Sequence, residues 1–231
     1  MQSIINFLAV GLKQIFFNRV VLLLNGITTL MFLGFTVYVK FGSGQNWRRA
    51  ENIVRLFSDC FSREQPFRSI LNNFSEILWS STLGFCLFCL ALLWFLHPQR
   101  RINSFLLYST VLITLLMIDD LFRVSLILAL FLGVPKLLMY VLYGIAFLFL
   151  GFYFNRKLVS TPYGILIAGL FLFVFSNTVD LLPLQGQATP VVLEEGSKLL
   201  GLLNLTYYYW SVCWSEATRS LTINRDSVNS V

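Results

Sequence analysis

Apolar residues run along this chain in long blocks, and the polar residues collect in the short gaps between them. Six blocks come close to the ~20 residues that an α-helix needs to cross a bilayer. They cover residues 20–41, 77–96, 103–121, 136–154, 163–182 and 193–214. The gaps hold helix-ending or charged residues: Arg19 and Lys40 about the first block, His97-Pro98-Gln99-Arg100-Arg101 after the second, Asn155-Arg156-Lys157 after the fourth, and Pro183, Gly186 and Pro190 after the fifth. The pattern predicts an all-α protein, a polytopic membrane helical bundle with about six transmembrane helices plus an N-terminal interfacial helix.

Four segments fall outside the blocks. Residues 3–17 (SIINFLAVGLKQIFF) gather Ser3, Asn6, Lys13 and Gln14 on one helical side, and 15 residues suit a helix lying in the interface within a segment 1–18. In the loop 42–76, GSGQN breaks the first helix, after which Trp47, Ile53, Val54, Phe57 and Phe61 recur at helical spacing. Arg48, Arg49, Glu51, Arg55 and Asp59 occupy the other positions. This is an amphipathic helix that either docks a partner or a lipid headgroup through Arg48, Arg49 and Arg55, or simply rests on the bilayer, for which the pattern alone suffices. Residues 124–134 (VSLILALFLGV) are apolar but too short to cross, and read as a re-entrant or interfacial segment ended by Gly133 and Pro135. The tail 216–231 is polar and is expected to be unstructured, leaving 19–215 as the membrane domain.

Composition narrows the class further. Of 231 residues, 57% are hydrophobic and 12% charged, and the mean hydropathy is +0.74. A soluble domain carries about 25% charged residues, so the spans leave no room for a soluble catalytic domain. The net charge of +6 lies between apolar blocks, where membrane insertion and headgroups use it, so nucleic acid is not an expected partner. The bilayer and other membrane subunits are. Arg100-Arg101 and Arg156-Lys157 in short loops favour cytoplasmic termini in a bacterial inner membrane or an equivalent internal membrane, against the basic 42–76 loop. A basic start and an A-x-A-like site are lacking, so uncleaved insertion by the first span is expected. Among Cys60, Cys86, Cys89 and Cys213, the Cys86-x-x-Cys89 pair sits in an apolar block with no second pair or histidine cluster, and neither a disulfide framework nor a cofactor is implied. His97, the only histidine, stands beside two arginines that disfavour a bound cation.

The remaining chemistry is acidic. Asp119 and Asp120 end the third span, Asp180 ends the fifth, and Glu194 and Glu195 open the sixth. Spans three and five cross in one direction and span six returns, so the five carboxylates are expected at similar depth. Ser176, Asn177 and Asp180 share a face, and Glu194, Ser197, Lys198, Gly201, Asn204 and Tyr208 form a stripe opposite Leu199, Leu202 and Leu203. The expectation is a pocket of Asp119, Asp120, Asp180, Glu194, Glu195, Lys198 and Asn204, with Glu194 paired to Lys198 and the leucines facing lipid. Such a pocket suits a hard cation such as Ca²⁺ or Mg²⁺, or a proton or ion path through mutually repelling carboxylates. A membrane hydrolase fits least, since no histidine or activated nucleophile accompanies the acids. The plain alternative is that Lys198 neutralises one glutamate while the other acids cap helices near the headgroups.

The Asp119-Asp120-Leu121-Phe122 span end, Asp180 in SNTVD, and Glu194-Glu195-Gly196-Ser197-Lys198-Leu199-Leu200-Gly201 resemble a pattern of uncharacterised multi-pass bacterial membrane proteins. There a D-D-L-F-like span end is often followed by a His-Glu pair, and E-E-G-x-K-x-x-G opens the last span. Here Arg123-Val124-Ser125 follows instead, which removes support for metal chemistry, and the resemblance implies no activity. The histidines of the membrane hydrolases related to alkaline ceramidase are absent. The sequence therefore points to a non-enzymatic membrane protein, either with an acidic pocket for a cation or proton or acting as an assembly subunit.

Overall fold

The computed structural model describes residues 9–11, 13–15, 18–41, 46–57, 70–96, 103–182 and 188–229. Among them every regular element is a helix: α1 (Arg19–Phe41), α2 (Asn46–Leu56), α3 (Ile70–Leu96), α4 (Ser104–Phe122), α5 (Val124–Leu132), α6 (Lys136–Tyr153), α7 (Asn155–Val159), α8 (Tyr163–Leu181) and α9 (Ala188–Asn229). Residues 9–11 and 13–15 are helical as well. Five helices, α1, α3, α4, α6 and α8, are long and apolar enough to cross a membrane. The sixth expected span lies inside α9, whose 42 residues mix Glu194, Glu195 and Lys198 with a run of tyrosines and so dilute the apolar signal.

The chain divides into two compact units, Met1–Leu78 with Gly164–Tyr207, and Trp79–Tyr163 with Tyr208–Val231. In the first, Asn18 starts α1 as its N-cap, its Oδ1 accepting from the backbone N–H groups of Val20 (3.2 Å) and Val21 (3.4 Å). The Asn18 amide also donates to the Tyr207 hydroxyl at 2.9 Å, tying the start of α1 to α9. Gly164, in the first turn of α8, donates its N–H to the Gln14 side chain at 2.9 Å. A methyl group on Gly164 would run into the backbone of Gly11. Gln14, which the sequence places on the polar side of an interfacial helix, caps α8.

The apolar side of α2 is used inside this unit. Ile53, and Phe57 just beyond the helix end, are buried with Phe32 of α1 and with Val192 and Leu199 of α9. The Phe32 and Phe57 rings stack at 6.3 Å. The sequence left open a helix resting on lipid; protein, not bilayer, covers Ile53 and Phe57.

In the second unit, α4 buries Phe105, Leu106, Leu112 and Ile113. It ends at Arg123, whose left-handed φ of 49° turns the chain into α5. Gly133 closes α5 with φ 66°, its N–H reaching the Leu128 carbonyl, a conformation that glycine adopts without a Cβ penalty. The nine-residue α5 fits the expectation for 124–134 of an apolar segment too short to cross. Tyr108 of α4 donates to the Ala146 carbonyl of α6 at 3.0 Å.

Two expectations are corrected. α3 begins at Ile70 and not near 77, because Asn72, Asn73, Ser75 and Glu76 are accommodated within its first turns, with the Asn72 amide donating to Glu76 at 3.1 Å. The tail beyond Ser215 is helical to Asn229 as a continuation of α9; its polar residues include no glycine or proline to stop it. Cys60, Asp59, Phe61, His97, Pro98, Arg100, Arg101, Pro183 and Gly186 lie outside the described residues, as do the side chains of Trp47, Arg48 and Arg49.

The α2 anchor gives a stability prediction. Ile53→Ala or Phe57→Ala should lower unfolding stability by about 2–5 kcal/mol, whereas Leu142→Ala on the exposed side of α6 should stay within about 0.5 kcal/mol. Reversible denaturation of the purified chain in mixed micelles measures both.

Candidate functional site

The polar stripe of α9 centres on Asn204, which is only 3% exposed. A carboxamide withdrawn from water needs partners for both its oxygen and its amide hydrogens. Asn204 exchanges two bonds with Asn25 of α1: Asn25 Nδ2 donates to Asn204 Oδ1 at 3.0 Å, and Asn204 Nδ2 donates to Asn25 Oδ1 at 2.7 Å. The second amide hydrogen of Asn204 reaches the Leu200 carbonyl at 2.8 Å. The pair is thus closed and joins α1 to α9.

The third helix at this point is α8. A Cβ placed on Gly201 would stand 3.0 Å from the Gly169 carbonyl oxygen, and one on Gly169 would stand 3.1 Å from the Gly201 carbonyl oxygen and 3.4 Å from Asn204 Cβ. The two backbones approach closely because neither residue has a side chain, the small-residue contact typical of membrane helices. One turn nearer the start of α9, Phe32 of α1 lies against Gly196. Nearer still, Ser176 of α8 donates to the Glu194 carbonyl at 2.8 Å. Ser197 bonds back to the Leu193 carbonyl at 2.5 Å and to the Glu194 carbonyl at 3.0 Å, so its hydroxyl is satisfied within its own helix.

Lys198 forms an i,i+3 ion pair with Glu195 at 3.6 Å; i,i+3 and i,i+4 neighbours are both within reach on a helix. Asp180, Glu194 and Glu195 are half-buried. Asp119 and Asp120 belong to the second unit, whereas Asp180, Glu194, Glu195, Lys198 and Asn204 belong to the first. Asp119 accepts from the Ser125 backbone N–H at 2.6 Å, bracing the turn at Arg123. Asp120 accepts from the Trp79 indole N–H at 2.9 Å, which ties α4 to α3. Arg55 pairs with Glu51 at 2.6 Å on α2. Among the described residues no three His, Cys, Asp or Glu side chains form a group able to hold a metal ion.

One expectation about α9 is overturned. Leu199 and Leu202 were assigned to lipid, yet they are 3% and 0% exposed. Leu205, Tyr208, Tyr209 and Val212 are buried as well, so α9 is enclosed on more than one side. Sequence reasoning also missed Gly169 and Trp79. Gly169 offered only the weak signal of a glycine inside an apolar helix, and the Trp79 indole N–H signals a need for an acceptor without saying which.

A helical chain with five helices of membrane-crossing length and apolarity is compatible with an integral membrane protein of the polytopic class. Residues 21–212 match the model of the family described as Domain of unknown function (DUF8692), and the chain belongs to that family. No curated protein and no solved structure is detectably similar to it.

The closed amide pair makes a quantitative expectation. Asn204→Leu or Asn25→Leu alone should cost about 1–2 kcal/mol by leaving a buried amide unpaired, while the double replacement should cost less than the sum. A double-mutant cycle on unfolding in micelles reads the coupling; additive losses would show that the pair does not act as a unit.

Proposed function

We propose that this protein is a non-enzymatic subunit of a membrane assembly, which docks a partner through the polar side of α2. The observation that carries the reading is the anchoring of α2. With Ile53 and Phe57 fixed in the core of the first unit, the helix is held to protein, and the sequence pattern assigns Arg48 and Arg49 to its other side. Arg55, paired with Glu51, extends the same charged side. A helix held in place binds with a smaller ordering cost than one free on the bilayer. The contacts of the acids support the same reading: Asp119 braces a turn, Asp120 holds a tryptophan, and Glu195 neutralises Lys198.

A second reading, an acidic pocket for a cation or proton, is favoured by one specific observation. Asp180, Glu194 and Glu195 are half-buried in one unit at the facing ends of α8 and α9, where ionisable side chains are costly and often functional.

One experiment separates the two. The full chain is purified gently from its own membrane as wild type, as Arg48→Glu/Arg49→Glu, and as Asp180→Asn/Glu194→Gln. Each preparation is analysed for co-purifying subunits and, after reconstitution, for cation and proton flux. The assembly reading expects the arginine variant to lose a partner that the acid variant keeps, with equal flux in all three. Flux lost only in the acid variant would replace it with the pocket reading.

A further inference from the structure

The end of α6 carries a surface that neither reading uses. α6 is the least buried of the five candidate spans. Leu138, Leu142, Ile145 and Phe149 are all exposed on it, and their three- and four-residue spacing sets them in one row along the helix. The row ends on an aromatic shelf. Phe149 and Tyr153 stack with centroids 5.3 Å apart and planes 11° from parallel, and Tyr153 meets Phe154 edge-on at 4.8 Å. Tyr153 is nevertheless 69% exposed.

The polar groups that follow are left open. Asn155 and Arg156 are exposed, and among the described residues neither they nor the Tyr153 hydroxyl has a hydrogen-bond or ion-pair partner. Lys157 differs. Its ammonium donates to Asn103 at 2.8 Å and pairs with Glu216 at 3.4 Å, so that cation is neutralised within the chain. A guanidinium, a phenol and a carboxamide therefore stand within four residues of one another, at the end of an apolar row on a helix of membrane-crossing length.

That combination fits one ligand chemistry, a phosphate diester attached to an acyl chain. The guanidinium fork matches two phosphate oxygens. Tyrosine is at home at headgroup level, and the apolar row offers the chain a continuous surface. A zwitterionic lipid brings its own ammonium to the phosphate and gains less from Arg156. We propose that the end of α6 is a binding site for an anionic phospholipid, with its phosphate on Arg156 and its acyl chain along the row ending at Phe149.

The test uses the purified full chain in detergent, offered phosphatidylglycerol or phosphatidylcholine with identical acyl chains, with retained lipid counted by native mass spectrometry. Wild type should retain phosphatidylglycerol about fivefold more than phosphatidylcholine, the preference that one basic residue near a membrane surface supplies. Arg156→Ala should abolish that preference, Arg156→Lys should keep most of it, and Arg219→Ala, at an exposed arginine of α9, should leave it intact. Excess glycerol 1-phosphate should not displace the lipid. Equal retention of the two lipids by wild type, or an unchanged preference in Arg156→Ala, overturns the proposal. Equal losses in the Arg219 and Arg156 variants would reduce it to general surface charge, and displacement by glycerol 1-phosphate would make it a free-phosphate site; either result overturns it.

Discussion

The first unit depends on a carboxamide that has no water to turn to. Asn204 is buried on α9, and its oxygen and both amide hydrogens are spoken for by Asn25 and the Leu200 carbonyl. Inside a bundle an unpaired amide would cost more than most single apolar contacts return, so α1 and α9 are held in a register that keeps the pair closed. The rest of that unit is consistent with this register. Gly201 and Gly169 let α8 approach on the adjacent side of the same turn, and Gly196 makes room for Phe32. Phe32 then presents its ring to Phe57, which brings α2 in.

The same economy governs the charges and hydroxyls. Thr28, Thr36, Thr110, Thr114, Thr178 and Thr206 each return their hydroxyl to the carbonyl four residues earlier, so these polar residues sit in apolar helices without needing a neighbour. The longer polar side chains reach further: Trp79 to Asp120 and Lys157 to Asn103 and Glu216 in the second unit, and Asn18 to Tyr207 in the first. Lys198 pairs with Glu195 of its own helix. Asp119, Asp120 and Glu195, which look in sequence like part of one reservoir of negative charge, thus have separate local duties. That distribution is why the assembly reading is preferred to an ion site.

The bundle itself was legible. Blocks of about 20 apolar residues bounded by Arg19, Pro162 or Asn155-Arg156-Lys157 leave few alternatives, because backbone hydrogen bonds in a lipid-like environment must close within the segment. The short α5 and the amphipathic α2 were legible for the same reason, since length and periodicity are local properties. The candidate site was legible only in part. Glu194, Lys198 and Asn204 announced themselves as polar residues in an apolar stretch. The Glu195–Lys198 pair did not, because Glu194 and Glu195 both lie within reach of the same flexible side chain.

What the sequence by itself determined is the helical class, the approximate bounds of the apolar helices and the list of polar residues that need partners, all consequences of local composition and the 3.6-residue period. The tertiary structure alone decided the partners and the environment. It made Asn25 the mate of Asn204, put Gly169 against Gly201, buried the leucine side of α9 that composition assigned to lipid, and covered the apolar side of α2 with protein. The physical reason is that leucine is equally at home against lipid and against another helix, so its pattern cannot say which it meets, whereas an amide or a missing side chain discriminates only once a neighbouring helix is in place.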